Sequence, residues 1–233
     1  MSAKLKSQEI FEKVKKEGRK ILTEYESKEV LRAYNIPTTK EMLATSAEEA
    51  AKIASEIGFP VVLKVCSSDI THKTDAGGVE LNLKSEAEVK KAFDEVITRV
   101  RQWKPNAKID GLLVQNMVPL GREVIIGMTT DPQFGPMVMF GLGGIFVEVL
   151  KDVSFRLPPI SKKEAISMMQ EIKGYPILEG TRGIKPADID SLAWVIEKTS
   201  RMAMELPEIK ELDMNPIFVY EKGLVVVDAR IVM

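Results

Sequence analysis

The order of apolar and polar positions predicts a chain in which helices and strands follow one another at short spacing. Residues 7–35 place apolar side chains near one face, with lysines and glutamates between them, which indicates an amphipathic helix. Three serine–glutamate pairs have the spacing of a capping box and predict further helix starts: Ser46 with Glu49, Ser85 with Glu88, and Ser161 with Glu164. We expect the last of these helices to close at Gly174, and another to run from Pro186 to about Glu205.

Strands are predicted where apolar and β-branched residues run or alternate between turn residues. These segments are 38–45, 61–66, 79–83, 112–118, 124–128, 136–140, 214–219 and 223–228. The last two are expected to form a hairpin-like pair. Strands and helices that mix at such short spacing predict an α+β or α/β chain of two lobes that meet near residue 110.

Composition and charge exclude several classes of function. The 233 residues suffice for one large domain or two small ones, and a formal net charge of −1 gives no basic excess for nucleic acid or an anionic membrane. Cys66 is the sole cysteine, which excludes an intrachain disulfide and a four-cysteine zinc site. The sequence shows neither the apolar core of a signal peptide nor the ~18 apolar residues of a membrane span. We therefore expect a cytoplasmic protein that binds neither nucleic acid nor a membrane.

Two side chains are candidates for chemistry on phosphorus. Lys64 lies inside an apolar strand, where a bound anion, a salt bridge within the protein or a snorkelling position at the strand end would satisfy its charge. His72 is the sole histidine and lies in the polar loop 67–78 between two predicted strands. An imidazole can attack phosphorus because it is partly neutral near pH 7, whereas the alternative is a surface histidine without a role.

Two glycine clusters are candidates for phosphate binding through backbone N–H groups. They are Gly77-Gly78 and Gly141-Leu-Gly-Gly144, and each could equally be a turn or a β-bulge. Neither cluster matches a P-loop or the full G-x-G-x-x-G fingerprint.

Three oxygen-bearing side chains near the end of the sequence are candidates for a metal site. Asp213 and Asn215 are two residues apart and face the same side of an extended chain, while Asp228 ends the following strand. Such hard oxygen ligands suit Mg²⁺ held jointly with nucleotide phosphates. The alternative is a hairpin whose strand ends are merely polar.

Several stretches, taken together, resemble the β subunit of ADP-forming acetyl-CoA synthetases. They are residues 26–37, 59–65, 72–79, 141–149, 152–156 and 211–216. The likeness covers nearly the whole chain in order, and the family is a rearranged relative of succinyl-CoA synthetase, whose β subunit also carries an ATP-grasp domain. The resemblance implies a two-lobed ATP-grasp fold that clamps a nucleotide between its lobes. On this basis we expect an N-terminal helical extension over 1–24, a first lobe with the histidine loop over 25–110 and a second lobe over 111–233.

The resemblance also implies roles for individual residues. His72 would carry a phosphoryl group, and Asp213 matches an acidic residue beside it. Lys64 would contact the nucleotide phosphates, while Asn215 and Asp228 would bind Mg²⁺. The other expected nucleotide-binding positions are Gly77, Gly78, Glu123, Arg156 and the strand Gln115, Asn116, Met117 and Val118, whose backbone would pair with adenine.

The same resemblance implies that the chain is half of an enzyme. It has no strand–Gly-x-Gly-x-x-Gly–helix unit for CoA and no second histidine, and family members place both on an α subunit or on the other half of a fused chain. We expect an α2β2 assembly in which phosphate passes from an α-subunit histidine to His72 and then to ADP. The overall reaction would convert acyl-CoA, phosphate and ADP into free acid, CoA and ATP, with Mg²⁺.

Three alternatives stay open at this point. A ligase that forms acyl phosphates directly would not need His72, and a succinyl-CoA synthetase-like β subunit would use only the partner's histidine. A regulatory ATP-binding module would bind nucleotide without phosphotransfer. The carboxylic acid, the preference for ADP or GDP and the physiological direction are not specified by the sequence.

Overall fold

The computed structural model describes residues 2–70, 72–144, 149–180, 183 and 185–233, and the chain divides into two compact units. Unit 1 comprises Met1–Leu22, Glu26–Thr38 and Leu120–Met233, and unit 2 comprises Thr23–Tyr25 and Thr39–Pro119. The division therefore differs from the expected boundaries at residues 24 and 110. The N-terminal helical segment belongs mainly to unit 1, and unit 2 extends to Pro119.

The N-terminal helical region consists of two helices rather than the single helix expected over 7–35. α1 spans Ala3–Lys16 and α2 spans Glu24–Ala33. The break lies at Gly18, which adopts a φ of 72° and donates its N–H to the carbonyl of Lys15 at 2.9 Å. A glycine in this left-handed conformation ends a helix because it has no Cβ to clash with the backbone.

The three predicted capping serines all cap helices. α3 spans Ala47–Ile57, α4 spans Glu86–Trp103 and α5 spans Lys162–Gln170, and each preceding serine Oγ accepts from the backbone N–H three residues on. The reciprocal bond of a full capping box forms at Ser161, whose N–H donates to Glu164. Glu49 and Glu88 instead accept from the residue before the cap, Thr45 and Lys84.

Two other predicted helix boundaries were wrong. α5 ends at Gln170 rather than Gly174, and a short helix that was not predicted, α6, follows at Tyr175–Glu179. α7 spans Ile189–Glu205 and does not begin at Pro186, because the side chain of Asp188 caps it by accepting from the N–H of Ser191.

Unit 2 contains a four-stranded antiparallel sheet in the order β1-β4-β2-β3. The strands are β1 Glu41–Ala44, β2 Val61–Cys66, β3 Val79–Leu83 and β4 Gly111–Asn116. α3 and α4 cover one face, where alternate residues of β2 such as Leu63 and Val65 enter the core. Lys64 lies on the opposite face. The pairing of β4 with both β1 and β2 explains why this unit extends past residue 110.

Unit 1 contains a six-stranded antiparallel sheet in the order β10-β8-β5-β6-β7, with β9 paired to β8. The strands are β5 Arg122–Asp131, β6 Gly135–Leu142, β7 Val153–Arg156, β8 Glu211–Val219, β9 Leu224–Val226 and β10 Ala229–Val232. α5 and α7 pack on one face around core residues such as Phe140, Met168 and Ile196. The mixed helices and antiparallel sheets confirm the α+β class. Among the described residues, no helix combines the length and apolar character needed to cross a bilayer.

Candidate functional site

In unit 2 the buried Lys64 is ion-paired with Glu24, the first residue of α2. Lys64 Nζ lies 2.8 Å from Glu24 Oε1, and both side chains are almost completely buried. The second carboxylate oxygen, Glu24 Oε2, lies 3.1 Å from Nζ of Lys73. A buried ammonium requires such a partner because leaving it unpaired in a low-dielectric interior is costly. The salt-bridge alternative raised from the sequence therefore describes Lys64 in this conformation.

His72, beside Lys73, has an exposed side chain. The loop that follows it, residues 72–78, is closed by its own backbone. The N–H of Ala76 donates to the carbonyl of His72 at 3.3 Å, and the N–H of Gly78 donates to the carbonyl of Lys73 at 2.7 Å. A histidine at the surface of a hydrogen-bonded loop can reach an external phosphoryl donor without breaking the core.

The far end of this loop is fixed against the sheet and against α4. Arg99 of α4 donates from Nε to the carbonyl of Gly77 at 3.0 Å and pairs with Glu80 at 2.7 Å. The carbonyl of Gly78 accepts from the N–H of Val65 at 2.7 Å, and a Cβ at Gly78 would lie 2.5 Å from a methyl of that valine. Close packing thus requires glycine here. The N–H groups of Gly77 and Gly78 both donate within the loop, so the expected phosphate contacts through them do not form in this conformation.

The segment expected to pair with adenine lies at the end of β4. Gln115 and Asn116 are in the strand, and Met117 and Val118 follow it. The N–H of Asn116 donates to the carbonyl of Lys40, and that of Met117 to the carbonyl of Pro60. These two N–H groups are therefore already used within unit 2, and Gln115 is paired in register with Glu41 and Val62 on the neighbouring strands. Any pairing with a base must use other backbone atoms of the segment.

In unit 1, Asn215 and Asp228 meet at an interruption of the β8 ladder. The core-facing residues of β8 are Leu212 and Met214, and then Ile217 and Val219, so the alternation shifts by one residue between them. At this point the N–H of Asn215 donates to the carbonyl of Asp228 at 3.2 Å. Irregularities of this kind redirect side chains and often lie beside active sites. Asn215 is exposed and Asp228 is partly buried.

Asp213, the neighbour of this pair on β8, lies in an unfavourable environment for a carboxylate. Burial, and after it the nearby carboxylate of Asp228, raises the pKa of Asp213, while Arg230 partly opposes the shift. Its Oδ1 atom is buried and has no hydrogen-bond partner among the described residues. An acceptor of this kind is completed by a cation or by an N–H donor such as an imidazole.

The donor set around Asp213 suits a hard cation only when further oxygens join it. Within the described ranges, no group of three or more His, Cys, Asp or Glu side chains is arranged to hold a metal ion. Mg²⁺ commonly takes only one or two carboxylates from a protein, with water and substrate phosphates as its other ligands. Asn215 and Asp228 therefore fit Mg²⁺ shared with phosphate oxygens and do not form a closed structural site.

Glu123 borders a cavity of about 320 Å³ within unit 1. Its carbonyl accepts from the N–H of Gly143 at 2.8 Å, and a Cβ at Gly144 would lie 3.3 Å from its carboxylate. The cavity is also lined by Arg122, Leu142 and Ile177. Residues 145–148, including Glu148 of the sequence motif, lie outside the described residues.

Arg156 is engaged in a salt bridge. Its guanidinium pairs with Glu171, and its Nη1 donates to the carbonyl of Phe155 at 2.8 Å. The hydrogen bond from Arg156 holds the pKa of Glu171 below its ordinary value. A phosphate would have to compete with this carboxylate, so the expected role of Arg156 is the least supported by the geometry.

Sequence reasoning missed Glu24 and Lys73. The signal for Glu24 was the buried lysine itself, which requires an anion, but nothing along the chain indicates which carboxylate supplies it. Lys73 lies within the histidine motif of residues 72–79, and no sequence pattern assigns it a role.

Comparison with known proteins gives matches over nearly the full chain. A family model described as the ATP-grasp domain matches residues 13–233. The chain is 54% identical over 228 residues to the β subunit of acetate–CoA ligase [ADP-forming] I from Pyrococcus furiosus, covering 98% of each chain. It is also 49% identical to acetate–CoA ligase [ADP-forming] I from Archaeoglobus fulgidus. The matched region covers 98% of this chain and 33% of that longer relative.

Solved structures of acetyl-coenzyme A synthetase 1 from Ca. Korarchaeum cryptofilum are also similar. One, in complex with coenzyme A, Ca-AMPCP and HgCl+, gives a TM-score of 0.95 at 50% identity and covers 97% of this chain and 99% of that chain. Another, with coenzyme A and Mg-AMPPCP, has its phosphohistidine segment pointing towards the nucleotide binding site. It gives a TM-score of 0.87 at 47% identity and covers 97% of this chain and 99% of that chain.

Proposed function

The chain belongs to the ATP-grasp domain family, and we propose that it is the nucleotide-binding β subunit of an ADP-forming acetyl-CoA synthetase. The observation that carries the proposal is 54% identity to such a subunit over 98% of both chains. The enzyme is an acid–thiol ligase that couples cleavage of a thioester to synthesis of ATP. The cytoplasmic location stays a prediction.

His72 would be the phosphoryl carrier. Its side chain is exposed, and the loop that bears it is fixed to unit 2 at Gly77 and Gly78. In the transfer step a terminal oxygen of ADP attacks phosphorus, the P–N bond to the imidazole breaks, and the bonding electron pair returns to the imidazole nitrogen. Asp213 would accept a hydrogen bond from the other ring nitrogen and keep it protonated. This role suits a buried carboxylate oxygen to which none of the described residues donates.

The negative charge of the nucleotide phosphates would be neutralised by a lysine and by Mg²⁺ held on oxygen ligands. Lys64 would supply positive charge to the nucleotide phosphates, exchanging its contact with Glu24 for a phosphate oxygen. Asn215 and Asp228 would hold Mg²⁺, which when bound neutralises charge on the phosphate oxygens. Phosphoryl transfer depends mainly on positioning and on such neutralisation, so these residue types suit the chemistry.

The remaining nucleotide contacts are assigned with less geometric support. Glu123 and the adjoining glycines line the cavity of unit 1, which has the size expected for part of a small ligand. Gln115 to Val118 would contribute backbone atoms to the base. Gly77, Gly78 and Arg156 would reach phosphate only after the loop hydrogen bonds and the Glu171 salt bridge rearrange.

The proposal requires a partner that binds CoA and the acyl group. The Pyrococcus relative is described as a β subunit, and the Archaeoglobus relative is a single chain of which this sequence covers 33%. An α subunit is therefore the expected partner, and an α2β2 stoichiometry is our proposal.

The decisive experiment is reconstitution with an α subunit. Acetyl-CoA, phosphate and ADP with Mg²⁺ should give ATP with the wild-type chain and none above background with His72→Ala. A ligase that forms acyl phosphate directly, or a succinyl-CoA synthetase-like subunit, would keep most of its activity in this variant. A regulatory module would bind ATP but give no turnover with any α subunit.

A further inference from the structure

Glu24 connects Lys64, which the proposed reaction uses, with Lys73, the residue that follows His72. One carboxylate oxygen lies 2.8 Å from the ammonium of Lys64, and the other lies 3.1 Å from the ammonium of Lys73. The side chain of Glu24 is 2% exposed, and those of the two lysines are 8% and 16% exposed. The contact therefore lies where water screens charge weakly, so removing the carboxylate has a large electrostatic effect on both lysines.

The position of Lys73 in the chain gives this contact its significance. Lys73 directly follows His72, so its side chain anchors the loop one residue from the imidazole. The other end of the loop is held independently by Arg99 on the carbonyl of Gly77 and by Val65 on the carbonyl of Gly78. Loss of the Lys73 contact therefore releases the histidine end of the loop and leaves its far end in place.

We propose that Glu24 is a positioning residue that couples occupancy of the Lys64 phosphate site to the placement of the His72 loop. The proposal rests on the function given above. An ammonium group binds carboxylate and phosphate oxygens alike, so Lys64 can exchange the Glu24 carboxylate for a phosphate oxygen. A phosphate bound at Lys64 repels the Glu24 carboxylate and competes for the same ammonium protons, which weakens the hold of Glu24 on the loop.

Glu24 acts on the reaction through these two lysines. While no phosphate is bound at Lys64, the loop is held through the contact of Lys73 with Glu24. When Lys64 binds phosphate, the loop is freed at its histidine end to take another placement. The Korarchaeum relative with Mg-AMPPCP is described with its phosphohistidine segment pointing towards the nucleotide binding site, which shows that such a segment has a nucleotide-directed placement in that protein.

The test compares Glu24→Gln with a matched variant on the same helix. Glu26 is also a buried carboxylate of α2 that pairs with two cations, Arg19 and Lys13, but neither of these belongs to the loop. Amide hydrogen exchange over residues 72–78 is measured in the full chain for Glu24→Gln, Lys73→Met and Glu26→Gln. We expect exchange in this segment to rise about tenfold in the first two variants, the ratio that corresponds to losing about 1.4 kcal/mol of hydrogen bonding, and not in the third.

Two further measurements separate positioning from mere stability. The phosphorylation of His72 is followed with the α subunit present, in a double-mutant cycle that combines Glu24→Gln with Lys73→Met. Because Glu24 acts on the loop through Lys73, its substitution should change the rate of phosphorylation more in the wild-type background than in Lys73→Met. Non-hydrolysable ATP should raise exchange over 72–78 in the wild type and change it little in Glu24→Gln.

Each outcome bears on a single claim. Equal exchange in wild type and Lys73→Met, or equal effects of Glu24→Gln and Glu26→Gln on residues 72–78, would overturn the coupling. Lys73→Met removes a partly exposed side chain, so the test remains available if Glu24→Gln does not fold. A wild-type chain that shows the exchange pattern but never becomes phosphorylated would overturn the proposed function and leave the Glu24 contact intact.

Discussion

The two units differ in the charged groups of their candidate sites. Unit 2 contains lysines that are buried or partly buried, and unit 1 contains a cluster of oxygen-bearing side chains. In unit 2 the charged groups near the histidine loop are paired with one another, Lys64 and Lys73 with Glu24, and Arg99 with Glu80. In unit 1 the break in β8 gathers oxygen atoms, and one of them, Oδ1 of Asp213, has no hydrogen-bond partner among the described residues. The lysines of unit 2 are thus paired with a carboxylate of the protein, whereas the acidic site of unit 1 has a buried oxygen that no described residue satisfies.

This difference indicates how each site responds to its ligand. A phosphate reaching Lys64 must replace an existing carboxylate, so binding there changes contacts within the protein. The carboxylates of Asp213 and Asp228 repel each other, and this repulsion is the second cause, after burial, that raises the pKa of Asp213. A cation bound at Asn215 and Asp228 would offset that repulsion. We therefore expect ligand-dependent rearrangement in unit 2 and ligand-dependent stabilisation in unit 1.

The largest effect should come from removing the metal-binding oxygen of the acidic site. Asp228→Ala is expected to lower the rate of ATP synthesis by about 10²–10³-fold, because Mg²⁺, whose charge would neutralise the phosphates, loses one of its ligands. Initial rates measured over a range of Mg²⁺ concentrations check this. Asp94→Ala, an exposed carboxylate of α4, is the control and should keep wild-type rates. A rate close to wild type in Asp228→Ala would remove this residue from the metal site.

On the cationic side, Lys64→Met should slow phosphoryl transfer by about 10²-fold, because the side chain keeps its apolar stem and loses its charge. Single-turnover transfer from phosphorylated His72 to ADP is the measurement. Lys91→Met changes an exposed lysine on α4 and should have no effect. Unchanged transfer in Lys64→Met would mean that the Glu24 salt bridge is the whole role of this lysine.

The close packing at Gly78, at the far end of the histidine loop, can be tested by adding a single methyl group. Gly78→Ala should lower the free energy of unfolding by roughly 1–3 kcal/mol, because its Cβ would overlap a methyl of Val65 at 2.5 Å. Denaturant unfolding of the single variants and of Gly78→Ala with Val65→Ala checks the cause. The added alanine should cost less in the Val65→Ala background, where the methyl is absent. An equal cost in both backgrounds would contradict the overlap.

The smallest expected effect is a change in stability at Asp188 of unit 1, whose carboxylate accepts hydrogen bonds from Gly223 and Ser191. Burial opposes ionisation of Asp188, but hydrogen bonds from the N–H groups of Gly223 and Ser191 and from the Ser191 hydroxyl lower its pKa overall. The stabilisation is therefore fully present above the ordinary aspartate pKa and is lost as pH falls through the lowered folded value.

Asp188→Ala should accordingly cost about 1 kcal/mol of unfolding free energy near neutral pH, a typical value for a helix N-cap. The cost should shrink below about pH 3.9, where the wild-type carboxylate also becomes protonated in the unfolded chain. Denaturant unfolding as a function of pH measures it, with the exposed Asp190→Ala as the control. If the cost of Asp188→Ala instead grows as the pH falls, the pKa of Asp188 is not lowered by folding and the prediction is wrong.

Local sequence signals predicted the elements that are stabilised locally. Ser46, Ser85 and Ser161 cap the expected helices because the cap and its partner lie three residues apart. The break at Gly18 was missed, since the apolar spacing continues across it while the backbone turns. β7 and β10 were also missed. They are edge strands of 4 residues each, which is too short for an apolar alternation to distinguish them from the neighbouring segments.

In the candidate site, too, the sequence predicted local features and missed contacts between residues distant in the chain. The sequence predicted that Lys64 needs an anion, and the pairing with Glu24 agrees with one of the alternatives it left open. The identity of that partner depends on a contact between residues 40 positions apart, which composition and periodicity do not encode. Similarly, Asp213 and Asn215 were expected to share a face by simple alternation, but the shift in the core-facing pattern of β8 lies directly after Met214.

The most direct test of the central claim is phosphorylation of the chain by γ-labelled ATP with Mg²⁺, alone and with an α subunit. We predict an acid-labile, base-stable label on the wild type that is absent from His72→Ala. Thr74→Ala, which changes an exposed neighbour in the same loop, should be labelled as the wild type is. If a wild-type sample that binds ATP gives no label even with the α subunit present, His72 is not a phosphoryl carrier and the account is contradicted.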